Sequence, residues 1–153
     1  MKNPVFPLLE IADIHAHRLR YAMRCLKSKM PASAETMACM VDEAVFPFEL
    51  YASRFAKLQD YMGTTLFDAL LTANGEQIES MSFIDKLNKL EKLELIPSAA
   101  EWREMREIRN KLSHEYPGHP EIMANLFNQA YMFGPMLLAC LENVTQFLKR
   151  LTL

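Results

Sequence analysis

The sequence predicts an all-α, single-domain, up-and-down bundle of about five helices spanning residues 1–153. Three observations lead there. Strand signals are nearly absent, with no alternating run and no Asn-Gly or Asp-Gly turn between β-branched stretches. Apolar residues recur at helical spacing almost everywhere between the loops. Finally, 153 residues that are 50% hydrophobic fill one core, and not comfortably two.

The elements follow in order. A first helix is expected from about Leu8 to Lys29, closed by Met30-Pro31. Ser33 can cap a second, with Glu35 in the first turn where acid suits the positive end of the helix dipole. That pattern continues to about Thr72, long for one helix, with Pro47 bending it and Gly63 loosening it. Asn74-Gly75 reads as a helix stop. A shorter helix covers Phe83 to about Leu93 and is closed by Leu95-Ile96-Pro97. Ser98-Ala99-Ala100-Glu101 has the form of a capping box. It opens a helix running to about His114, which Pro117-Gly118 must end. The last helix starts near Pro120 and reaches Arg150, with Gly134-Pro135 as a kink.

Composition narrows the function classes. The formal charge of −2 gives no bulk attraction to nucleic acid. The distribution is uneven: five cations and no acid between His15 and Lys29, then four acids and no cation between Ala32 and Leu50. Arg20, Arg24 and Lys27 fall at helical spacing and make one basic stripe, whose simplest reading is a solvated face. Three widely spaced cysteines among apolar residues (Cys25, Cys39, Cys140) read as reduced core thiols of a cytoplasmic protein. No apolar run approaches the roughly 18 residues of a membrane span, so no membrane partner is expected.

The helix after Ser98 carries the least ordinary feature. On a wheel of about 100° per residue, Trp102, Met105, Ile108 and Leu112 share an arc of about 120°, and Arg109 falls inside it. An inward arginine is costly unless it is paired or lies at a cleft. Its neighbours three and four positions away are Met105, Arg106, Leu112 and Ser113, none of them anionic. Glu107, by contrast, can pair with Arg103 and Lys111. His114 would lie about 140° from Arg109 on an unbroken helix. The two converge only if the helix unwinds near His114 or a second subunit completes the site.

Arg109-Asn110-Lys111-Leu112-Ser113-His114-Glu115-Tyr116 has the form R-x4-H-x-Y, with a polar residue after the arginine. Together with residues 53–71 and 84–116, this segment resembles the HEPN superfamily. Within it, the likeness is to the HepT-like toxins, whose antitoxin is a minimal nucleotidyltransferase. The resemblance implies a homodimer and a metal-independent ribonuclease with no cofactor. Arg109 and His114 would be catalytic in a cleft between protomers, and Asn110 would cap or orient the phosphate. Tyr116 would be the position that the cognate nucleotidyltransferase modifies with AMP. Arg20, Arg24, Lys27 and Arg54 are weaker candidates for RNA backbone contacts.

The chemistry suits these residue types. Histidine titrates near neutral pH and can act as base or acid, and a guanidinium can hold a phosphate in two-pronged fashion. Metal-site readings fail on spacing. His114 to His119 is one residue too long for H-E-x-x-H, and the residue three before each histidine is never glutamate. Two alternatives remain: a binding module of the same fold that holds a nucleotide or a nucleotidyltransferase without cutting, and a purely structural bundle. The structural bundle, serving dimerisation, would match Arg109 with a buried carboxylate such as Asp60 or Asp68.

Overall fold

A computed structural model describes residues 5–151. It is an all-α bundle, and among the described residues there is no β-strand. Helix α1 (Val5–Leu26) ends in a 3-10 turn, Lys27–Lys29. A short α2 (Ala34–Ala38) precedes α3 (Asp42–Tyr61), which passes through a π turn, Met62–Leu66, directly into α4 (Phe67–Ala73). After a 3-10 turn at Ile78–Ser80 come α5 (Phe83–Lys92), α6 (Ala99–Leu112) and the long α7 (Pro120–Leu151). Helix α7 is the common support, touching α1, α2, α3, α4 and α6, while α1 lies along α3.

The helix ends obey local chemistry. Ser33 and Thr36 cap α2 reciprocally, as do Ser82 and Asp85 on α5. At α4 the stop falls on Gly75 at φ +87°, with Glu76 N–H donating to the Leu71 carbonyl. The expected box at Ser98 forms only half. Ser98 Oγ accepts from the Glu101 amide at 2.9 Å, but Glu101 sends no bond back. Glu91 of α5 instead accepts from Ala99 N–H at 2.7 Å, fastening the end of one helix to the start of the next.

Two expectations are corrected. The single helix expected from Ser33 to Thr72 is broken at Cys39–Val41. Starting afresh at Asp42 places Pro47 in the second turn of α3, where few rungs precede the one its missing N–H removes. The cysteines are all free, yet only Cys140 is core, its thiol pushed up to about 12 by burial and then by Glu101, whereas Cys39 is exposed. Gly63 does loosen the helix, as the π turn. Helix α7 runs through Gly134-Pro135 without a break. No helix among the described residues is long and apolar enough to cross a membrane.

The core is anchored by large rings. Phe67 and Trp102 lie 4.7 Å apart between centroids, joining α4 to α6. Tyr51 is wholly buried and donates its hydroxyl hydrogen to the Ala130 carbonyl of α7. Close approach there requires Gly134, because a methyl group at that position would lie 2.7 Å from the Tyr51 oxygen. Two residues before Ala130 on α7, Asn128 grips the loop before α2 with both halves of its amide. It accepts from Ala32 N–H at 2.7 Å and donates to the Ala32 carbonyl at 2.9 Å.

Candidate functional site at the α3–α6 crossing

Helix α6 buries Trp102, Met105 and Ile108, the stripe read from the wheel, while Leu112 at its last turn is only half-buried. Arg109 lies at the edge of that stripe and points toward the end of α3. Its Nη2 pairs with Asp60 Oδ2 at 2.5 Å, and its Nη1 donates to Asn110 Oδ1 at 3.1 Å. The expectation of an arginine without a counter-charge is therefore corrected: the partner comes from α3, 49 residues away in sequence. The pair is not an internal one, since the side chains are 28% and 48% exposed. Arg109 Nε is buried and has no hydrogen-bond partner.

Helix α6 ends at Leu112, two residues short of the expected boundary, and turns at Ser113. His114 thus leaves the helix before the 140° problem arises. Its backbone N–H donates to the Lys111 carbonyl, and its side chain is exposed without a hydrogen bond. Tyr116 is half-buried and donates its hydroxyl hydrogen back to the Lys111 carbonyl at 3.2 Å, closing the C-terminus of α6. Glu107 pairs with Lys111 at 3.3 Å but not with Arg103. Within one chain, then, Arg109 and Asn110 form a unit with Asp60, while His114 and Tyr116 stand just beyond the helix end.

The basic stripe is elsewhere. Arg20 and Arg24 lie exposed on α1, and Lys27 on the turn after it, and α6 packs on α7, α5 and α3 rather than on α1. Arg54 is half-buried on α3 and faces His15 of α1. Burial, then the charges of Arg54 and Lys57, hold the His15 imidazole below its usual value. The structure does not bring this group together with Arg109.

Sequence reading missed a cleft of about 340 Å³ that opens beside Asp60 between the π turn, α5 and α6. Gly63 and Thr64 of the π turn form one side. Lys86 and Phe83 of α5 and Trp102 and Arg106 of α6 form the others. Thr64 donates its hydroxyl hydrogen to the Asp60 carbonyl at 2.7 Å, supporting the widened turn; π turns of this kind are frequent at functional sites. Lys86 pairs with Asp68 at 2.8 Å. Arg106 makes no ion pair and lies 4.8 Å over the Phe83 ring. Gly63 as a loosened helix, Trp102 as core, and Asp60 and Asp68 as candidate partners of Arg109 were visible beforehand; Phe83, Lys86 and Arg106 look like an ordinary amphipathic face until α5 and α6 are juxtaposed.

Among the described residues no group of three or more His, Cys, Asp or Glu side chains is placed to hold a metal ion. No protein-family model matches the chain, and no curated protein or solved structure matches it either.

Proposed function

We propose that the chain is a metal-independent endoribonuclease of the HepT-like kind, acting as a homodimer and held in check by a cognate minimal nucleotidyltransferase. The observation that carries the reading is the R-x4-H-x-Y segment at the end of α6. Arg109 is held in place by Asp60 and Asn110 and still half-open to solvent, and His114 is released from the helix by its stop at Leu112. In the reaction, Arg109 exchanges the Asp60 carboxylate for the scissile phosphate and stabilises its growing charge. His114 takes the proton of the ribose 2′-OH. The 2′-oxygen bonds to phosphorus, the bond to the 5′-oxygen breaks, and the partner's His114 protonates that leaving oxygen. The products are a 2′,3′-cyclic phosphate and a free 5′-OH. Transfer of AMP to the Tyr116 hydroxyl would free the Lys111 carbonyl and add phosphate charge near Arg109, blocking RNA.

A second reading is a module that binds a nucleotide or a nucleotidyltransferase without cutting; the carboxylate on Arg109 is what a purely structural bundle predicts, except that Asp60 is half-exposed and not buried. The two readings part in a single assay, in which RNA is incubated in EDTA with wild type, Arg109→Ala and His114→Ala. The nuclease predicts cyclic-phosphate ends from wild type, and a loss of about 10²-fold or more in each variant. Absence of cutting by wild type, with binding retained, establishes the module.

A further inference from the structure

Arg109 stands between two hollows. Asp60, which accepts from its Nη2, lines the 340 Å³ cleft beside the π turn. Asn110, which accepts from its Nη1, lines a second hollow of about 560 Å³ between the start of α5 and the exposed face of α6. Phe83 and Arg106 line both, so the guanidinium lying 4.8 Å over the Phe83 ring is a ridge that the two share. The hollows differ in charge. The inner cleft sets Asp60 and Asp68 against Lys86 and Arg106. The outer one sets Arg103 and Arg106 against Glu107 alone, and Glu107 is already paired with Lys111.

Among the described residues neither Arg103 nor Arg106 meets a carboxylate, and both are exposed. With Arg109 they recur every three residues, about 4.5 Å of rise at each step, so three guanidinium groups lead along α6 to its last turn. This row and the ridge together select the occupant. A free phosphate or a lone carboxylate answers one arginine and leaves a 560 Å³ hollow with Phe83 and Ile84 in its wall unfilled. An acidic peptide answers the arginines but brings no flat ring to the open face of Arg106. A duplex hides the faces of its bases. A single nucleic-acid strand offers a phosphate and an unstacked base at every step, and bases stack on arginine planes as well as on aromatic rings.

We infer that the outer hollow between α5 and α6 is a track for single-stranded RNA, with one base stacked on the Arg106–Phe83 ridge and the backbone running from Arg109 past Arg106 to Arg103. The carboxylates of the inner cleft keep the backbone on the outer side. That the phosphate on Arg109 is the scissile one rests on the nuclease reading, but the hold of the track on the strand does not.

The test follows a short fluorescein-labelled single-stranded RNA by anisotropy over a series of salt concentrations, with the full chain carrying His114→Ala so that cutting does not intervene. Arg103→Gln and Arg106→Gln should each lower the slope of log affinity against log salt by about 0.7, the loss of one phosphate contact on a single strand. Lys92→Gln, exposed at the far end of α5, should leave the slope unchanged. Arg106→Lys keeps the charge and loses the planar face. It should hold the slope and still weaken RNA binding about tenfold, the worth of one stacked base, with no effect on an abasic strand of the same length. The replaced side chains are exposed, so the fold survives, and thermal unfolding checks that it does. Unchanged slopes in both glutamine variants overturn the track, and leave the nuclease standing if the wild type cuts RNA. An abasic strand or polyglutamate held as tightly as RNA also overturns it, and so does an absence of RNA binding. The expected slopes in a protein whose wild type cuts no RNA support the track and remove the nuclease.

Discussion

The middle and the far end of α3 differ in how completely their polar groups are used. In its middle turns, Tyr51 is sunk against α7, its hydroxyl bonded to Ala130 and pressed so closely to Gly134 that no side chain fits there. At its far end the helix widens into the π turn. There Gln59 and Trp102 keep unmade bonds, and Asp60 sits half-exposed on Arg109. The first region is close-packed and satisfied, as an interior contact should be. The second retains polar capacity that folding alone does not require, and rules of local consistency are broken mostly where a protein binds something.

The sharpest way to break this contrast is at the satisfied middle of the helix. Gly134→Val should destabilise the protein by about 3 kcal/mol, the upper range for overpacking, because the Tyr51 oxygen and Met23 sulfur both stand in the way. Thermal unfolding checks it. A variant as stable as wild type would mean that α7 can slide off α3, and the two regions would then not differ in rigidity. Burial holds the Tyr51 phenol far above its usual value, so its hydrogen bond is not titrated away in the neutral range.

Asp60→Asn sharpens the contrast at the other end, with a smaller effect on stability. A half-exposed ion pair contributes up to about 1 kcal/mol, and asparagine can still accept from the guanidinium. Thermal stability should therefore change little. Affinity for RNA, measured in the His114→Ala background, should rise severalfold, because the anion that competes with phosphate for Arg109 is gone and the site gains one positive charge. A clear loss of stability with unchanged RNA affinity would assign Arg109 to the scaffold and end its phosphate role.

Much of this was legible in the chain itself, for identifiable reasons. Helices α1, α5, α6 and α7 announce themselves by period and by Ser, Pro and Gly at their ends, because those signals are local. The position of Arg109 at the edge of the core stripe also follows from spacing alone. What spacing cannot carry is the partner. Asp60 is 49 residues away, and only the crossing of α3 with α6 brings it to the guanidinium. The cleft escaped for the same reason: Gln59, Phe83, Lys86 and Arg106 come from three elements and become one wall only when those elements meet. The break at Cys39–Val41 was hidden because helical periodicity continues across it while the backbone does not.

The smallest expected effect concerns His15, on the face of α1 that turns toward α3. The ring lies 5.5 Å from Tyr61, whose hydroxyl donates to the Leu8 carbonyl at 3.1 Å. Burial first, then Arg54 and Lys57, lower the imidazole's pKa below 6.5. The folded protein thus binds this proton less readily than the unfolded chain does. Full stability from this group is present above the unfolded value of 6.5, and is lost as the pH falls from there toward the lower folded value. Arg54→Gln removes one of the two opposing charges, so the imidazole should titrate closer to 6.5 and the acid-side loss should shrink. A pH series of the imidazole proton resonances in wild type and variant reads this directly. If the two curves coincide, Arg54 does not act on His15, and the basic face of α3 is free for an outside anion instead of being spent on its own histidine.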